Sequence, residues 1–129
     1  MPIRYTINGE RGVMFTTADG LVREEDLRAN RERYSKDPSF RPSLDQLIDF
    51  SAIETFEVST DFLVKFAISS PFGEGARRAV VVTRADIYGA MRASATFLDD
   101  RPGEFRIFDD IEAARRWLGL ALTQHLAGT

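Results

Sequence analysis

The sequence predicts an α/β fold: a mixed, mostly parallel five-stranded sheet with an antiparallel N-terminal edge and about four helices. Three observations predict it. From about residue 23 onward, strand-forming runs alternate with segments of helical periodicity, and that alternation requires parallel crossovers, which are right-handed by strong preference. At the start, two strand-like runs flank the turn-rich Asn8-Gly9-Glu10-Arg11-Gly12, the pattern of an antiparallel hairpin. Finally, 129 residues with 43% apolar and 29% charged suffice for one self-contained core, so residues 1–129 read as a single domain.

Arg4-Tyr5-Thr6-Ile7 is the first strand of the hairpin, and Val13-Met14-Phe15-Thr16-Thr17-Ala18 is the second. Asp19-Gly20 is expected to break the latter. The first helix is expected over residues 23–36, with Leu27, Asn30/Arg31 and Tyr34 as a thin inward stripe. Glu24, Glu25 and Asp26 lie in its first turn, where the helix dipole favours negative charge. Asp37-Pro38 stops it, and residues 39–43 read as loop.

Gln46-Leu47-Ile48-Asp49-Phe50 lacks polar alternation, as a strand covered on both faces does. A second helix over residues 59–69 is apolar around more than half its circumference, so it is either largely buried or carries a patch for a partner. Arg78-Ala79-Val80-Val81-Val82-Thr83 is the clearest strand. Thr83 with Asp86 resembles a capping box for a third helix over residues 85–98, whose stripe is Ile87, Met91, Ser94/Ala95 and Leu98. Arg101-Pro102-Gly103 turns the chain into the strand Phe105-Arg106-Ile107-Phe108. Asp109, with Glu112 three residues on, is the expected cap of a last helix over residues 111–122, with Trp117 on the flank of its stripe.

Composition excludes several function classes. The absence of Cys removes disulfides, thiolate metal sites and a Cys nucleophile. A net charge of −3 lacks the basic footprint of a nucleic-acid binder. No apolar run approaches the ~20 residues of a membrane span. Met1-Pro2-Ile3-Arg4-Tyr5 has no signal-peptide character, so a cytoplasmic location is expected. The one His, His125, sits in the tail away from any carboxylate pair. No Ser-His pair with an orienting group, metal-ligating cluster, phosphate loop or dinucleotide fingerprint is present, so neither catalysis nor a cofactor or metal is expected. Gly73-Glu74-Gly75 precedes a strand and reads as a turn, and Arg77-Arg78 and Arg115-Arg116 read first as solvated charge, with anion or partner contact as the lesser role.

Three stretches carry a resemblance to a known group. Asp49-Phe50-Ser51-Ala52-Ile53 is similar to the Asp-Leu-Ser-Gly-Val of a STAS central strand. The others are Val80-Val81-Val82 leading into the segment 85–92, and the segment 105–119 with its Trp117-Leu118. Over nearly its whole length the chain thus resembles the SpoIIAA-like group, which relates to the STAS domains of anti-sigma-factor antagonists and, more loosely, to the lipid-binding half of Sec14-type proteins. The resemblance implies a single SpoIIAA-like domain acting as a non-catalytic regulatory or protein-interaction module. It places Ser59 and Thr60 on the family's phospho-acceptor motif, although Val58 stands for its Asp and Asp61 for its Gly.

Read from the residues themselves, Ser59 and Thr60 more readily cap a helix than accept a phosphate, and Glu57 and Asp61 would repel the added charge. The expected partner or ligand surface comprises Glu57, Phe62, Phe66 and Tyr88, though Tyr88 more readily serves as a partly buried aromatic whose hydroxyl reaches water. The expected partner is another protein, with self-association into a homodimer through the same face. The alternative is a binder or carrier of a small apolar or lipid-like ligand, with a cavity between helices and sheet lined by such residues as Phe62, Phe66, Met91 and Phe97.

Overall fold

Each strand after the hairpin is laid down beside the one before it, and that regularity decides where the helices go. The computed structural model describes residues 2–73, 75–95 and 104–120. Its elements are β1 (Ile3–Asn8), β2 (Val13–Arg23), α1 (Glu24–Ser35), β3 (Asp45–Glu57), α2 (Thr60–Ile68), β4 (Arg77–Val81), α3 (Ala85–Ala95), β5 (Glu104–Phe108) and α4 (Ile111–Trp117). The sheet order is β1-β2-β3-β4-β5, with β1 antiparallel to β2 and every other neighbour parallel. Successive crossovers step the same way across the sheet, so their common right hand puts α1, α2 and α3 on one face. Among the described residues only α4, which follows the last strand, covers the other.

Two cores result. On the three-helix face, Val22, Ile48, Phe50 and Val80 meet Leu27, Leu63, Ile87 and Met91. On the other, Leu47, Ala79 and Val81 meet Ala114 and Leu118, with Phe108 and Trp117 packed at the rim. Consecutive residues of β4 therefore serve opposite faces, as a pleated strand requires.

The element order agrees with the sequence reading, and the boundaries differ in instructive ways. Asp19-Gly20 does not end β2. Gly20 takes φ +67°, and register shifts on either side of it against β3 absorb the irregularity, so the strand bends and continues. Likewise β3 does not stop near Phe50: it runs to Glu57, pairing with β4 only over Gln46–Asp49 and with β2 alone beyond. Asp49 and Ser51 accordingly lie within a strand, where the Asp49 carboxylate accepts from the Ser51 hydroxyl, rather than at its carboxyl end.

Two caps move as well. Asp110, not Asp109, caps α4, its side chain accepting from the Glu112 N–H. Thr83 makes no box with Asp86. Its hydroxyl reaches the Ser51 carbonyl, while Asp86 pairs with Arg84. The last helix, predicted to reach residue 122, ends at Trp117 with Leu118 as its C-cap, because Gly119 turns the chain at φ +76°. The predicted end of the third helix, the Arg101-Pro102-Gly103 turn, Glu74, Phe97, Leu98 and His125 lie outside the described residues.

Candidate functional site

On the three-helix face a row of polar side chains crosses three strands at one level. The Gln46 amide donates from Nε2 to Thr16 Oγ1 at 3.0 Å and accepts at Oε1 from Arg78 Nε at 2.9 Å. Gln46 and Arg78 are register partners in β3 and β4, in phase with the core residues Ile48 and Val80. The sheet thus presents a polar strip where the period-2 pattern elsewhere presents apolar side chains.

Above this strip the helices leave a cavity of about 80 Å³. Its walls are apolar: Leu27 from α1, Leu63 and Phe66 from α2, and Met91 from α3. Its polar lining is Asn30, Arg31 and Tyr34 from α1, Ser94 from α3, and the strip below. Thus the thin stripe of α1 faces the cavity.

Two guanidinium groups share this space. Arg31 stacks on the Phe66 ring at 3.3 Å from its centroid and donates from Nη1 to Ser69 Oγ, while its Nε and Nη2 are buried without a hydrogen-bond partner. Burial lowers the Arg31 pKa. Arg78, half-buried, donates to Gln46 and from Nη1 to Ser70 Oγ at 3.3 Å, and lies against the Phe72 ring. Burial first, with the repelling charge of Arg31 as a lesser cause, pushes the Arg78 pKa down to about 10. Among the described residues neither arginine forms an ion pair. The reading of Arg77-Arg78 as solvated charge is corrected on this point, and Arg115, 8% exposed, is no solvated cation either.

The residues singled out from the sequence divide around this cavity. Phe66 and Met91 line it. Phe62 does not; it stacks on Phe66 at 5.2 Å along an outer groove between α1 and α2, beneath Arg28. Tyr88 packs partly buried against the core, with Arg92 over its ring. Glu57 is exposed and paired with Arg23. Ser59 caps α2, its hydroxyl accepting from the Phe62 N–H at 3.0 Å, while its own N–H donates to Glu24. Thr60 is exposed in the first turn. Reasoning from sequence missed Gln46 and Arg78 as site residues. Their signal was a polar side chain in phase with Ile48 and Val80 on strands buried on both faces.

Among the described residues, no group of three His, Cys, Asp or Glu could hold a metal, and no helix is long and apolar enough to cross a membrane. No family model matches the chain, and no curated protein does. A solved structure of an uncharacterised protein of the DUF3478 family from Shewanella loihica PV-4, described as having a SpoIIAA-like fold, is similar over 90% of this chain and 93% of its own, with 21% identity and a TM-score of 0.58. The strand order, the antiparallel first pair and the four helices agree with that likeness: the chain has a SpoIIAA-like fold.

Proposed function

We propose that this is a non-catalytic ligand-binding domain, a carrier or sensor that holds a small, largely apolar molecule in the cavity between the sheet and α1, α2 and α3. The observation that supports it is the cavity itself. Folded interiors are close-packed, and a void lined by Leu27, Leu63, Phe66 and Met91 forfeits dispersion contacts that a guest restores. At about 80 Å³ it is roughly half the size of an engineered apolar cavity of about 150 Å³ that admits benzene, so the guest is small.

A partner-docking role centred on residues 57–62 has less in its support. The aromatic face of α2 is covered by Arg28 and Arg31, and among the described residues the exposed large apolar side chains, Leu21 and Ile68, are scattered. A phosphate on Ser59 or Thr60 would stand close to the carboxylate of Glu24, which the Ser59 N–H already engages.

Methyl NMR tests the reading. Titration with small alcohols and carboxylates is expected to shift the Leu63 and Met91 methyl signals, and Ala67→Leu, which fills the cavity from α2, is expected to abolish those shifts. No shift with any compound, or shifts unchanged in the filled variant, would overturn it.

A further inference from the structure

The walls of the cavity are apolar, yet two cations are aimed into it. In a low-dielectric interior a cation without an anion is costly, and such groups are normally paired. Here Nε and Nη2 of Arg31 are buried without a partner, and Nη2 of Arg78 makes no hydrogen bond to a described residue. Gln46 fixes the Arg78 guanidinium by accepting from its Nε, and Phe66 fixes that of Arg31 by stacking, so both planar forks are oriented in advance. Such forks match the two oxygens of a carboxylate.

We infer that the ligand is an organic carboxylate whose charged head sits between Arg31 and Arg78 and whose short apolar body lies against Leu63 and Met91. The inference rests on the cavity being a ligand site and names the chemistry of its occupant. Arg31 and Phe66 line both the cavity and the outer groove between α1 and α2, so the head is reached along that groove. Arg78, lowered only to about 10, remains charged at neutral pH to meet it.

The test compares acetate, butanoate and hexanoate with the corresponding alcohols and with inorganic phosphate, reading affinity from the methyl shifts. Hexanoate is expected to bind about ten- to hundredfold more tightly than hexanol, the range for hydrogen bonds to a charged group. Arg31→Met or Arg78→Met should remove that preference with the circular dichroism unchanged, and Arg78→Lys, which keeps the charge and loses the fork, should restore it only in part. Equal affinity for hexanoate and hexanol would overturn the carboxylate while leaving the cavity reading in place. Phosphate binding as tightly as hexanoate would overturn the apolar body. Absence of binding by every compound would overturn both readings together.

Discussion

Arg77 and Arg78 are neighbours on one strand and live in opposite circumstances. Arg77 faces α4, where it pairs with Asp45 at 3.4 Å and donates to the carbonyls of Trp117 and Leu118 at 2.9 and 3.2 Å. Those are orphan carbonyls of a helix end, which a cation satisfies and which the dipole favours. Arg77 is thus a structural tie: it fastens α4 to the sheet. Arg78 faces the other way, toward the cavity, with an amide and a hydroxyl for partners and no carboxylate among the described residues. Identical side chains one residue apart thus differ in whether the fold completes their hydrogen bonding. Where the fold does not complete it, a ligand can.

The faces behind these residues differ in the same sense, and truncation shows it most strongly. Leu118, 4% exposed, packs on the α4 face against Ala79 and Val81. Leu118→Ala is expected to cost about 2–4 kcal/mol in a denaturant melt. A loss below about 1 kcal/mol would mean that the α4 face is as loosely packed as the cavity face.

The two arginines give the next largest effect, and it is unequal between them. Arg77→Met leaves Asp45 and two helix-end carbonyls short of a donor and should destabilise by about 1–2 kcal/mol, reduced by partial exposure to solvent. Arg78→Met removes a cation that burial penalises but leaves the buried Gln46 Oε1 without its donor, so the two effects offset and the change is expected to stay within about 1 kcal/mol. Proton linkage agrees. The folded Arg78 pKa, about 10, lies below the ordinary guanidinium value, so the charged form weakens the fold below that pH, and the penalty is relieved as pH rises through it. Equal destabilisation by both variants would break the comparison.

How much of this was legible follows from the same pair. The β-β-α-β-α-β-α-β-α order was readable because Val80-Val81-Val82 and the Leu27/Tyr34 stripe are strong local patterns. Asp19-Gly20 misled because a glycine at positive φ can continue a bent strand as well as end one, and pairing with β3 decides which. The Asn30/Arg31 part of the α1 stripe was legible as inward-facing, though not what it faces. That Arg78 points inward was latent in its phase with Val80, but Arg77 beside it made the pair look like surface charge. Which face a charge serves is a property of the pleat, and whether it is satisfied there is a property of the tertiary structure. Phe62 was placed on the expected surface through the family resemblance and Tyr88 through its place at the start of a helix; Phe62 lies along the outer groove beneath Arg28, and Tyr88 packs partly buried against the core.

Smaller effects belong to the start of α2. Ser59→Ala removes the acceptor for the Phe62 N–H and should cost about 1 kcal/mol, whereas Thr60→Ala should change stability by less than about 0.5 kcal/mol. A loss at Thr60 equal to that at Ser59 would mean that its hydroxyl also has a structural partner.

The smallest effect concerns an acid whose needs the fold does meet, the counterpart of Arg78. Asp37 accepts from the Ser39 N–H at 2.9 Å and from the Tyr5 hydroxyl at 2.8 Å. The Ser39 bond first and the Tyr5 bond second hold its pKa below the ordinary 3.8. A carboxyl with a depressed folded pKa adds stability that is present above its unfolded value and lost as pH falls through the folded one. Tyr5→Phe removes only the second bond, so the Asp37 carboxyl carbon, followed by NMR, should titrate at a higher pH in the variant yet stay below 3.8. Full return to the unfolded value would show that the hydroxyl, and not the backbone turn, positions this carboxylate.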